Sequence, residues 1–149
     1  MRLLRTSINE NPKNDLQAFQ IDKYTTQWYS PTMAEIGDRI WFEFVESKIF
    51  SKQVRDLGGE LLVRIQSDLV QNPERGAVVK ETHGVRKARV ADPASSRGKR
   101  GSYRYLYLYL EHAGRIHLLY LFGKGAQADV SPQQKRIIGA LSQEIRKEL

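Results

Sequence analysis

The sequence predicts one α+β domain in which helices pack on an antiparallel-rich sheet, with the element order β-α-α-β-β-β-α. Three strand-like segments follow one another between residues 85 and 122, two helix-like segments precede them, and a capped helix ends the chain. A chain of 149 residues is long enough for one domain with a proper core and short for two.

Residues 1–38 differ from the rest of the chain. The stretch is polar and turn-rich, and no helical or strand period persists in it. The sequence therefore predicts an N-terminal extension over 1–38 and a folded domain over 39–149.

The first strand is predicted at 40–47, IWFEFVES, because aromatic and β-branched residues dominate it. Two helices are predicted over 51–57 and 60–71, separated by a glycine pair, and an Asn-Pro pair ends the second. These are the two N-terminal helices of the domain.

The remaining elements are three strands and a helix. The strands are predicted at 85–91, 103–110 and 115–122, and three strands in a row indicate an antiparallel meander. The last helix opens at 131–134 with Ser-Pro-Gln-Gln, in which Ser is the N-cap, Pro takes the first helical position and the second Gln completes a capping box.

Positive charge is concentrated in one stretch. Seven of the 24 Lys and Arg residues lie between Arg86 and Arg104, and Asp92 is the only acidic residue there. The stretch thus carries +6 of the formal net charge of +7. A local patch of this density attracts a polyanion, and the first candidate is nucleic-acid phosphate.

The alternation of side chains along a strand determines which of these basic residues share a face. In an extended 85–91 segment Lys87 and Arg89 point to one face, and pairing with the next strand brings Arg104 close to them. Together with a basic loop, three fixed cations describe a phosphate clamp that can also stabilise charge on a pentacovalent phosphate. The other basic side chains of the stretch are predicted to bind RNA: Arg86, Arg97, Lys99 and Arg100.

A simpler reading of the same residues is a solvated or merely binding basic surface. The alternating tyrosines of 103–109 favour core packing over base stacking, and the intervening leucines indicate a central strand that leaves Arg104 at its open end. His117 lies in an apolar strand, which favours a structural role.

Composition also sets limits. The chain has no cysteine, its three histidines lack metal-ligand spacing, and its apolar runs fall short of the ~20 residues of a membrane span. We expect no metal, no cofactor, no disulfide and no membrane span, and a cytoplasmic protein.

From about Phe44 onward the chain resembles the RelE/HigB-like toxins of bacterial type II toxin–antitoxin systems, particularly the HigB-like branch. The resemblance is carried by NPERG, GVRKAR, RGKRGSYRYLY, IHLLYLFGKG and DVSPQQKR, in matching order over roughly the last 105 residues. It implies a RelE-like fold and a ribosome-dependent endoribonuclease that cleaves messenger RNA by metal-free attack of the ribose 2′-OH. It also implies, as partners, the ribosome, messenger RNA and a cognate antitoxin of helix-turn-helix type.

The resemblance assigns roles residue by residue. Lys87 and Arg89 match the two basic strand positions, one aiding proton transfer and the other holding the phosphate, and Arg104 matches the arginine that stabilises transition-state charge. Lys124 matches an RNA-binding lysine after the last strand. Two positions depart from the pattern, because Gly125 replaces a functional arginine and Ser131 aligns near a functional tyrosine.

The departures leave the general acid open. Positive charge could come from the loop of Arg97, Lys99 and Arg100, and Tyr103 or His117 could transfer a proton. The alternative function is a non-catalytic RNA-binding or protein-interaction module on the same fold. A ribonucleoprotein-type domain ranks last, because its helices and strands follow a different order.

Overall fold

The computed structural model describes residues 42–94, 102–123 and 130–148, together with the backbone of 27–28. Within these residues, six strands form one mixed sheet in the order β1-β2-β6-β5-β4-β3. The strands are β1 (Gln27–Trp28), β2 (Phe42–Glu46), β3 (Ala77–Val78), β4 (Arg86–Ala91), β5 (Ser102–Leu110) and β6 (Arg115–Phe122). The helices are α1 (Lys48–Arg55), α2 (Gly59–Gln71) and α3 (Pro132–Lys147).

The α+β class and the meander of β4, β5 and β6 are confirmed, since both neighbouring pairs are antiparallel. The sheet is nevertheless mixed, because β2 pairs with β6 in parallel. The sequence did not predict the two-residue strands β1 and β3, which are too short to show a period. Within the predicted extension, β1 pairs with Phe42 and Glu43 of β2.

The first helix begins three residues earlier than predicted. Ser47 is its N-cap, and the Ser47 hydroxyl accepts a hydrogen bond from Phe50 N at 3.1 Å. The same hydroxyl donates to the carbonyl of Leu119 at 2.6 Å, so the cap also fastens α1 to β6. A capping side chain that serves a tertiary contact is invisible to local sequence periodicity.

Beyond the end of β2, a side chain replaces the missing neighbour of β6. The Gln53 amide of α1 donates to Leu121 O and accepts from Leu121 N, both at 2.9 Å. The amide therefore pairs with the strand as another strand would, and it satisfies two buried backbone groups.

Two clusters of apolar side chains cover the two faces of the sheet. Tyr103, Tyr105 and Tyr107 of β5 pack with α1 and α2, a face we call the tyrosine face. Leu106, Leu108 and Leu110 pack with α3, a face we call the helix-α3 face. The predicted capping box of α3 is confirmed, with Ser131 and Gln134 bonding reciprocally. Among the described residues no helix is long and apolar enough to cross a bilayer.

Candidate nucleic-acid interface

Three of the predicted site residues come together on the helix-α3 face. Arg89 stands directly opposite Arg104 in the antiparallel pairing of β4 with β5, and Lys87 stands opposite Leu106. Residues directly opposite each other have Cβ atoms roughly 5 Å apart. The predicted grouping of Lys87, Arg89 and Arg104 on one face of the sheet is therefore present, and we call these three residues the cation cluster.

The cation cluster lies at the end of the face that α3 leaves open. Leu106, Leu108 and Leu110 of β5 are buried under α3. Arg104 precedes Leu106 by two residues on the same face of the strand, and it is half-buried. Arg89 is exposed and Lys87 is half-buried. All three residues are therefore at least partly exposed to solvent.

Among the described residues, neither arginine of the cluster has a neutralising partner. Within the described ranges, the guanidinium groups of Arg89 and Arg104 make no hydrogen bond or ion pair. Like charges that stand directly opposite each other across a ladder destabilise it by roughly 0.2–1 kcal/mol. A bound anion between the two groups would reverse the sign of that interaction.

Arg86, predicted to bind RNA, lies on the opposite face and contacts protein. Its guanidinium donates to the carbonyls of Gly76 at 2.7 Å and Glu74 at 3.2 Å, and it lies 3.8 Å from the Glu74 carboxylate. Arg86 stands opposite Tyr107 in the ladder. The arginine thus fastens the 73–76 loop to the tyrosine face.

The two residues considered for proton transfer are both away from the cluster. Tyr103 is 3% exposed and belongs to the tyrosine face. His117 is 4% exposed, and neither ring nitrogen has a partner among the described residues. Burial, and next the positive charge of Arg115, lower the pKa of His117 to about 4. The histidine is therefore neutral at pH 7 and shielded from substrate.

The other predicted RNA-binding residues, Arg97, Lys99, Arg100 and Lys124, lie outside the described residues. Among those that are described, no group of three or more histidine, aspartate or glutamate side chains is arranged to hold a metal ion.

The cluster offers anion binding and stabilisation of charge on a bound phosphate. The sequence signal that found it was the alternation of side chains along β4, combined with the expected pairing of β4 with β5. The same alternation places Arg86 on the opposite face, and the alternating tyrosines favour a core position for Tyr103. What the sequence does not show is that Arg86 contacts the 73–76 loop. Compared with models of known protein families, the chain matches none.

Proposed function

We propose that the chain is the toxin of a bacterial type II toxin–antitoxin system, a cytoplasmic endoribonuclease that cleaves messenger RNA on the ribosome. The observation that carries the proposal is the juxtaposition of Arg89 and Arg104, two guanidinium groups without a partner among the described residues. The ordered series of motifs shared with RelE/HigB-like toxins supports the same reading.

The proposed reaction is transesterification. The ribose 2′-oxygen forms a bond to the adjacent phosphorus while the bond from phosphorus to the 5′-oxygen of the next nucleotide breaks. The 2′-hydroxyl loses a proton and the leaving 5′-oxygen gains one, so the products end in a 2′,3′-cyclic phosphate and a 5′-hydroxyl.

Each cation has a distinct part in this reaction. Arginine stays protonated in proteins, so Arg89 and Arg104 hold the phosphate and stabilise the charge that builds on its oxygens. Lysine can exchange a proton, so of the three cations Lys87 is the one suited to assist proton transfer. The antitoxin would silence the protein by covering these groups.

A second candidate function is a non-catalytic RNA-binding module on the same scaffold. The position of Tyr103 and His117 favours it, because neither side chain lies where it could protonate a leaving group at the cluster.

A reconstituted translation reaction distinguishes the two candidates. The purified chain is added to ribosomes translating a defined message, and the RNA ends are mapped and identified chemically. We expect cleavage that requires translation and leaves 2′,3′-cyclic phosphate ends. The double variant R89Q/R104Q should lose cleavage, whereas R64A, which removes an exposed arginine from α2, should retain it. Binding of ribosomes without cleavage would favour the binding module and contradict the nuclease.

A further inference from the structure

The outer edge of β4 is only half covered by its neighbour. The short strand β3 pairs with β4 at Lys87 and Arg86, through Ala77 and Val78. Further along β4, no strand among the described residues pairs with 88–91 on that side, although β5 pairs with the whole of β4 on the other side. The uncovered half of the edge begins beside the cation cluster.

The backbone groups of this half point outward at defined residues. Val79 N donates to Val85 O at 2.8 Å, so Val85 directs its hydrogen-bonding groups toward the β3 side. Along a strand these groups alternate between the two neighbours, and the register of β4 runs without a bulge from Arg86 to Ala91. Arg89 and Ala91 therefore direct their N–H and C=O groups to the open edge, which is a ready template for another strand.

The side chains beside this edge differ between the two faces. Arg89 is on the helix-α3 face with Lys87 and Arg104, whereas Ala88 and Val90 are buried on the tyrosine face. A strand added along the edge would place alternate residues next to the cations and the residues between them next to apolar side chains.

We propose that the edge of β4 at 88–91 binds an extended peptide of alternating acidic and apolar residues as an added antiparallel strand, the orientation of both present neighbours of β4. The acidic residues would stand beside Arg89 on the helix-α3 face, and the apolar residues would stand beside Ala88 and Val90. The inference does not depend on nuclease activity, because it requires only the edge and the positive charge next to it.

Charge and geometry decide between this occupant and two others. A second copy of the chain pairing through the same edge would bring Arg89 and Lys87 close to their own counterparts, and like charges repel across a ladder. RNA supplies negative charge but lacks the paired amide donors and carbonyl acceptors that the outward groups of Arg89 and Ala91 match. An acidic peptide supplies both.

Synthetic peptides test the proposal directly. The probe is a capped hexapeptide of three Glu-Val repeats with a fluorophore, titrated with the full chain at low salt, without ribosomes. Methylating the backbone nitrogens of the glutamates removes the N–H donors that would face β4. Methylating the backbone nitrogens of the valines adds the same number of methyl groups on the side that faces away from β4. We expect the first change to weaken binding by about 10-fold or more, equivalent to about 1.4 kcal/mol, and the second to have a much smaller effect. Equal binding of the two methylated peptides would show attraction by charge alone and overturn the proposal, as would no binding of the parent peptide.

Variants of the chain locate the added strand. A91P removes one outward N–H without removing a cation, and proline is tolerated at a strand edge where that group faces away from the sheet. We expect A91P to weaken peptide binding about 5-fold or more, A91T to leave it near the parent value, and R89Q to weaken it about 10-fold. Unchanged binding to A91P would place the peptide elsewhere. Cleavage without peptide binding would refute this inference alone, and peptide binding without cleavage would refute the nuclease alone.

Discussion

The two faces of β5 differ in whether their polar side chains have hydrogen-bond partners within the described part of the chain. On the tyrosine face, the Tyr107 hydroxyl accepts from Gly76 N at 3.0 Å and donates to Pro73 O at 2.7 Å, so one side chain closes a loop against the sheet. At the open end of the helix-α3 face, Arg104 and its neighbour Arg89 make no such bond among the described residues. The two arrangements occur within four residues of one strand.

The difference distinguishes polar groups that stabilise the fold from polar groups that are available to bind a ligand. Polar groups that are satisfied inside the chain contribute to its stability, and removing one leaves a buried partner without a hydrogen bond. Charged groups that face each other without a partner lower the stability of the free protein, and they contribute only when a ligand of opposite charge is present. Substitutions on the two faces should therefore have opposite consequences.

The largest expected effect is that of R104A on activity. Losing one group that stabilises transition-state charge typically lowers the rate on the order of 100-fold, about 2.7 kcal/mol. The free energy of unfolding should not fall, because among the described residues Arg104 makes no hydrogen bond or ion pair. Single-turnover cleavage on ribosomes and urea denaturation measure the two quantities. A rate near that of the parent at equal protein concentration would remove Arg104 from the site.

His117 stands opposite Leu108 in the pairing of β6 with β5, at the covered end of the helix-α3 face, and it makes stability depend on pH. The pKa of His117 is lowered to about 4 in the folded protein by burial and Arg115, against 6.5 for an ordinary histidine. Between these values the unfolded chain binds more protons than the folded one, so stability is full above pH ~6.5 and is lost as the pH falls toward 4. The loss attributable to His117 should reach about 2 kcal/mol at pH 5.

A replacement that cannot ionise isolates this contribution. H117L should show a flatter dependence of the free energy of unfolding on pH between 7 and 5 than the parent, in urea denaturation at each pH. H112L is the matched control, because His112 is exposed and should leave the slope near that of the parent. An equal slope in H117L and the parent would show that His117 is hydrated.

Substitution of Tyr107 should have the opposite effect to R104A, since it should lower stability and leave the cleavage rate nearly unchanged. Y107F keeps the ring and removes the hydroxyl, which leaves Gly76 N and Pro73 O without a shared partner. We expect a loss of about 1–3 kcal/mol in the free energy of unfolding and a cleavage rate within a few-fold of the parent under conditions where the variant is folded. Y109F is the control, because Tyr109 is only half-buried. A large loss of rate in fully folded Y107F would show that the two faces are not independent.

Local pattern predicted most of the elements and the grouping of the cations. The capping box of α3 and the strand at 115–122 were identified to the residue, because their signals lie in adjacent side chains. The placement of Lys87, Arg89 and Arg104 followed from side-chain alternation in two strands that are consecutive in the chain and are therefore expected to pair.

Long-range contacts account for what the sequence did not show. Ser47 and Gln53 act through the backbone of β6, about 70 positions further along the chain, and no local period reveals such a partner. Arg86 was grouped with the RNA-binding residues because it adjoins Lys87 in a basic run. The alternation of β4 instead turns it toward the 73–76 loop, and the existence of that contact depends on where α2 ends.

The smallest expected effect is a gain in the free energy of unfolding for R89Q, and it tests most directly whether the cation cluster lacks partners within the fold. Replacing Arg89 with glutamine removes one of two facing positive charges while keeping a side chain of similar reach. Because like charges directly opposite each other cost roughly 0.2–1 kcal/mol, R89Q should unfold at slightly higher urea concentration than the parent at low salt. Salt screens this repulsion, so the gain should shrink between about 20 mM and 500 mM sodium chloride. R64Q serves as the control, because Arg64 lies 3.8 Å from Asp68 and its loss should bring no gain. If R89Q is less stable than the parent at low salt, Arg89 has a partner within the chain, and the cation cluster is part of the fold as Tyr107 is.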